Sequence, residues 1–115
     1  MFNYTTFNES KLEYLELMPA DDLSNGERFF VDIGDKSVVV FNIAGKFFAI
    51  DDVCTHDGGP LGEGKLEGFN VTCPRHGAEF DVRTGKAVKL PAVEDVAAYP
   101  VQVRDGTIFI GMPKG

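Results

Sequence analysis

Cys54-Thr55-His56-Asp57-Gly58-Gly59-Pro60-Leu61 and Cys73-Pro74-Arg75-His76-Gly77-Ala78-Glu79-Phe80-Asp81 hold every cysteine and histidine of the 115-residue chain. The spacing is C-x-H, sixteen residues, then C-x-x-H. Glycine or proline flanks each pair, which places both on loops. Thiolates and imidazoles are metal ligands, and a tetrahedral zinc ion accepts two of each. Cys73-x-x-His76 has a spacing that one ion accepts. Cys54-x-His56 is tighter, because one intervening residue leaves little room to wrap a single ion. A binuclear iron cluster removes that difficulty: the cysteine of each pair reaches one iron and the histidine the other. Residues alone leave both options open.

Outward from these loops the sequence reads as short β-rich runs separated by turn residues. Residues 13–17 predict a first strand and 19–23 a single helical turn. Residues 28–33, 37–43 and 47–50 predict three strands in consecutive hairpins, turning at Gly34-Asp35-Lys36 and Ala44-Gly45-Lys46. Val38-Val39-Val40-Phe41 suits a buried strand. Residues 53–68 are rich in Gly, Pro and Asp and show no alternation. Strands follow at 70–72, 78–82 and 87–90, and a last hairpin, 101–104 with 107–110, turns on Asp105-Gly106. No stretch has a 3.6-residue apolar period, so helix is expected to be minor. The expected architecture is one all-β domain over 1–115. Its basal part, built from about 11–50 and 87–113, carries a loop-rich insert at about 51–86.

Charged residues make up 25% and hydrophobic ones 43%, the composition of an ordinary globular domain. The net charge is −7, which repels nucleic acid; it either steers encounters with a basic partner or serves solubility. The start of the chain lacks the basic and apolar regions of a signal peptide, and no apolar run has the length of a membrane span. A cytoplasmic, membrane-free, monomeric protein is expected, and there paired thiols bind metal rather than form disulfides.

The two loops resemble the cluster-binding boxes of the Rieske family, and Arg83-Thr84-Gly85-Lys86 resembles the turn after its second box. The likeness covers about 47–99. It implies a Rieske fold, an antiparallel β sandwich or barrel-like base with a small inserted cluster-binding subdomain. It also implies one [2Fe–2S] cluster held by Cys54, His56, Cys73 and His76, two histidines replacing two cysteines on one iron. Two ferric ions are then balanced by two sulfides and two thiolates. An electron therefore enters a neutral site more easily than an all-cysteine one. Respiratory and photosynthetic members carry a disulfide between the boxes, whereas Gly59 and Arg75 stand at those positions here. High-potential members place serine and tyrosine hydroxyls near the cluster, where this chain has Ala78 and Phe80. Fewer hydrogen bonds to sulfur imply a potential of about −150 mV rather than about +300 mV.

The sequence is most similar in kind to the soluble ferredoxin components of bacterial aromatic-ring dioxygenase systems. That resemblance implies a one-electron carrier, itself not an enzyme, between a flavoprotein reductase and a terminal oxygenase. It implies that the imidazole edges of His56 and His76 form the electron exit and that the loop at Pro91-Ala92 shields the cluster. The small subunit of an assimilatory nitrite reductase and a zinc-stabilised interaction module are the alternatives. Gly58, Gly59 and Gly77 are read as letting backbone N–H groups approach the sulfides, as turn formers, or as both. Asp51, Asp52, Asp57 and Asp81 are read as turn formers and solvated charges, in preference to partner-docking charges or a second catalytic site. Arg75 is read as pairing with an acid or touching a partner. Phe29, Phe41, Phe47, Phe48 and Phe109 are expected in the core, and Phe80 near the cluster.

Overall fold

β-Branched and aromatic residues, interrupted by two-residue turns, produce eleven strands among the described residues of the computed structural model. The structure describes residues 3–55, 58–75, 77–92 and 94–114. The strands are β1 (Leu12–Pro19), β2 (Arg28–Ile33), β3 (Lys36–Ile43), β4 (Lys46–Asp51), β5 (Leu66–Glu67), β6 (Asn70–Thr72), β7 (Glu79–Asp81), β8 (Ala87–Lys89), β9 (Ala98–Tyr99), β10 (Val101–Arg104) and β11 (Thr107–Pro113). Among the described residues, helix is confined to three short 3₁₀ turns, Tyr4–Thr6, Glu9–Lys11 and Ala20–Asp22, the last at the turn expected after β1.

Three antiparallel sheets follow, in the orders β1-β11-β10, β2-β3-β4-β9 and β5-β6-β7-β8. The hairpins β2-β3-β4 have the expected order, and the turns Ala44-Gly45 and Asp105-Gly106 both have positive φ at their two central residues. Such turns match the right-handed twist of the strands they join.

The middle sheet explains the apolar run in β3. Val38 and Val40 face one core with Ala49, Tyr99, Ile108 and Ile110. Val39 and Phe41 face a second core with Ile50, Cys54, Cys73 and Phe80. A strand covered on both faces has no polar side, so its sequence is continuously hydrophobic rather than alternating. β3 and β4 thus form a rigid plank, with the β1-β11-β10 sheet below and the β5–β8 sheet and the cysteine loops above.

Differences from the sequence reading have physical reasons. β5 lies within 53–68, and β9 follows directly on Val96-Ala97. Each has only two residues and little β propensity of its own; pairing with β6 and β4 defines them. β8 pairs with β7, so the upper sheet continues past residue 86. Phe109 lies outside both cores: Ile108, Ile110 and Met112 point inward, and Phe109 lies beneath Arg104, 5.3 Å from guanidinium carbon to ring centroid. Among the described residues, no helix is long and apolar enough to cross a membrane.

Candidate cofactor site

β4 and β6 each deliver a cysteine to a loop, and the two loops close in the same way. Cys54 N–H donates to Gly59 O at 2.7 Å, and Gly58 N–H to Cys54 O at 2.7 Å. Correspondingly, Cys73 N–H donates to Ala78 O at 2.6 Å, and Gly77 N–H to Cys73 O at 3.2 Å. Gly58 and Gly77 occupy the same left-handed conformation, with φ of 74° and 76°, a region costly for residues with a Cβ. Their N–H groups donate to the cysteine carbonyls, and both glycines serve the turn. Gly59 plays another part, described below.

Cys54 and Cys73 are 0% and 2% exposed and sit in one apolar core with Leu61, Ala78, Phe80 and Ala92. Two soft sulfur donors on backbone-closed loops, sealed by apolar side chains, suit an iron–sulfur group. His56, His76 and Asp57 lie outside the described residues. Phe80 is buried beside both cysteines, as expected, and neither it nor Ala78 brings a hydroxyl.

The segment after β8 covers the site from a third side. Ala92 is buried with the cysteines. Thr55 Oγ1 donates to Glu94 O at 2.6 Å, tying this segment to the first loop. Asp95 Oδ1 accepts Ala87 N–H at 2.8 Å, and Val96 N–H donates to Gly85 O at 2.8 Å. The cover is therefore fixed at its C-terminal end. Leu90 in it is 73% exposed, and Val53, next to Cys54, is also exposed.

Two residues that sequence reading left on the surface or in a plain strand position these loops. Asp52 Oδ1 accepts Leu61 N–H at 2.9 Å and Gly62 N–H at 2.5 Å. From β2, Arg28 Nη1 donates to Gly64 O at 2.7 Å and also to Gly62 O, while its guanidinium lies over Phe41. Asp52 has the profile of a turn former, and Arg28 is far away in sequence, so neither advertises this role. Asp52→Ala strands two N–H groups and is expected to lower stability by about 2 kcal/mol. Asp52→Asn keeps an acceptor oxygen and should lose less; urea midpoints measure both.

Asp51 is likewise structural. Its Oδ1 accepts Tyr99 Oη–H at 2.6 Å, and Tyr4 stacks on Tyr99 with centroids 5.2 Å apart. The opening 3₁₀ turn is thus docked on β9, giving a role to residues that the sequence left without one. Burial raises the Asp51 carboxyl above its ordinary range, opposed by the tyrosine hydrogen bond and Lys36. Burial and then Asp51 push the Tyr99 hydroxyl far up, so it stays a donor. The folded state therefore holds the Asp51 proton more tightly than the unfolded one. Stability from this group falls as pH rises through the interval between its ordinary and raised values. Tyr99→Phe removes the donor and is expected to cost about 1–2 kcal/mol at neutral pH. The loss should shrink as the pH falls and Asp51 protonates, as denaturation across pH would measure.

Asp81, at the end of β7, shows the opposite shift. Burial pushes it up, but hydrogen bonds from the side chain and backbone of Arg83, with its charge, hold the carboxyl below its ordinary value. Arg83 grips it through Nε and Nη2 at 3.1 and 2.9 Å and lies over Phe69, 4.2 Å from the centroid.

Known proteins resemble this chain over most of its length. Residues 13–100 match the Rieske [2Fe–2S] domain family. The chain is 41% identical over 97 residues to the 3-phenylpropionate/cinnamic acid dioxygenase ferredoxin subunits of Shigella flexneri serotype 5b and Escherichia coli K12, covering 84% of this chain and 91% of each relative. The solved ferredoxin of carbazole 1,9a-dioxygenase from Nocardioides aromaticivorans IC177 superimposes with a TM-score of 0.81 at 31% identity, covering 88% of this chain and 98% of that one. Sphingomonas yanoikuyae B1 ferredoxin gives 0.79 at 32%, over 88% of this chain and all of the other. These relatives are ferredoxin subunits, and the matched family carries an iron–sulfur cluster, which sets the zinc module aside. The chain belongs to the Rieske [2Fe–2S] family, as an electron-transfer protein with one [2Fe–2S] cluster rather than an enzyme in its own right.

Proposed function

We propose that this chain carries single electrons from a flavoprotein reductase to a terminal oxygenase of an aromatic-ring dioxygenase system, with Cys54, His56, Cys73 and His76 as the cluster ligands. The observation that carries the reading is the pair of equivalently closed loops that sink Cys54 and Cys73 into one core, in a chain of this family. When bound, the cluster supplies a reversible one-electron site. The protein's share is to hold the ligands still, to exclude water with Leu61, Phe80 and Ala92, and to present the histidines to partners. One Rieske domain spans the chain, with about 51–86, continued by β8 to Lys89, as the cluster-bearing insert on the basal sheets.

A complex of reduced oxygenase with oxidised ferredoxin is known for carbazole 1,9a-dioxygenase, and its matching chain is 30% identical to this one with a TM-score of 0.81. An oxygenase partner here is supported by that likeness, and a reductase partner by the need for an electron source. Exposed Val53 and Leu90 beside the loops give such a partner apolar contacts, and the net charge of −7 favours a basic docking face. A monomer in the cytoplasm fits this shuttle role.

Ala78 and Phe80, both fully buried without hydroxyls, support a potential at the low end, about −150 mV. An anaerobic redox titration should place the midpoint there; a clearly positive midpoint contradicts it. The carrier role is tested by mixing the reduced protein with an oxidised Rieske oxygenase in the absence of oxygen. Reoxidation of this chain in step with oxygenase reduction supports the role. An inert mixture with every aromatic-ring oxygenase tried, despite an intact cluster, opposes it.

A further inference from the structure

Arg75 lies between the two residues proposed as ligands in the second loop, and its guanidinium spans to the first. A methyl group built on Gly59 would lie 2.8 Å from Nη2, 2.9 Å from Cζ and 3.2 Å from Nη1 of Arg75. Three guanidinium atoms at nearly equal range mean that the planar group lies flat against the Gly59 backbone. Gly59 is the residue whose carbonyl closes the Cys54 loop, and its φ is not in the left-handed region. A side chain at position 59 would therefore displace the guanidinium rather than strain the backbone. Arg75 is held in a loop closed by the Cys73–Ala78 and Gly77–Cys73 hydrogen bonds.

We infer that Arg75 is a positioning residue that clasps the two cysteine loops by lying flat on Gly59, slowing loss of the cluster. The inference rests on the cluster-ligand reading above and adds what holds the loops to each other. A planar, rigid guanidinium covers a bare backbone over a wide area, whereas a lysine ammonium is a strongly hydrated point charge on a flexible stem. Shape, and not charge alone, is then what counts at this position.

A double-mutant cycle on the cluster-loaded protein tests the clasp. Cluster loss is followed as the decay of visible absorbance under an iron chelator, together with the EPR line widths of the reduced protein. Contacting residues couple by about 1 kcal/mol, which is about fivefold in a rate. Arg75→Ala, Arg75→Lys and Gly59→Ala should each speed cluster loss by about that factor and broaden the EPR features, as the loops sample more arrangements. Gly59→Ala should add nothing in the Arg75→Ala background, because there is no guanidinium left to displace. Should Arg75→Ala be isolated without cluster, Arg75→Lys and Gly59→Ala carry the test alone. Wild-type retention and line widths in Arg75→Lys, or an equal cost of Gly59→Ala in both backgrounds, overturn the clasp. A wild-type protein that holds no cluster instead defeats the ligand reading on which the clasp rests.

Discussion

Purified Cys54→Ser protein is expected to be colourless and to give no EPR signal on reduction. Cys54 is fully buried, in an apolar core with Leu61, Ala78 and Phe80. A serine hydroxyl is a much harder donor than a thiolate, and iron–sulfur clusters are held by thiolates. The loop gives no substitute, because the chain's only other cysteine, Cys73, is the proposed ligand of the second loop. The hydroxyl would also be buried among carbons, at a cost of about 1–3 kcal/mol if unpaired. Loss of the cluster should therefore come with reduced stability, and iron analysis with a urea titration separates the two effects. Cys73→Ser is expected to behave in the same way. Retention of a normal cluster by either variant contradicts the ligand assignment.

Gly64→Ala is expected to disrupt the protein strongly. A Cβ on Gly64 would fall 1.7 Å from the carbonyl oxygen of Thr72 and 3.2 Å from that of Leu61. The obstacle is backbone, so no side chain can swing aside. Gly64 N–H donates to Leu61 O at 3.0 Å, its own carbonyl accepts from Arg28, and Thr72 N–H donates to Lys65 O at 2.9 Å. The stretch after the first box therefore presses on the strand that delivers Cys73. A methyl group there must push β6 away from that stretch, changing the spacing of the two cysteine loops. Overpacking of this kind costs about 3 kcal/mol, and the strain falls on the cluster site. A lowered urea midpoint together with poor cluster loading is the expected result. Unchanged stability and loading contradict the close backbone approach.

The parts of the fold visible in the sequence are those with local causes. The hairpins β2-β3-β4 and β10-β11 follow from β-rich runs broken by two-residue turns at which the chain tolerates positive φ. The double burial of β3 follows from Val38-Val39-Val40-Phe41. The cysteine loops stand out because rare residues cluster between glycines and prolines. What the sequence hides is defined by tertiary contact. β5 and β9 exist because neighbours pair with them. Asp51, Asp52 and Arg28 look like loop and surface charges, yet they hold Tyr99 and the carbonyl-rich stretch after the first box. Only distance in space, not in sequence, joins Arg28 to Gly64. The glycines split for the same reason: Gly58 and Gly77 are explained by their own φ, while Gly59 and Gly64 are explained by what approaches them.

The absorption and low-temperature EPR spectra of the purified protein, before and after dithionite, test the central claim most directly. A red-brown protein that gives a Rieske-type signal on reduction, with iron and acid-labile sulfide in equal amounts, is the predicted result. A colourless, EPR-silent protein that contains zinc would contradict it.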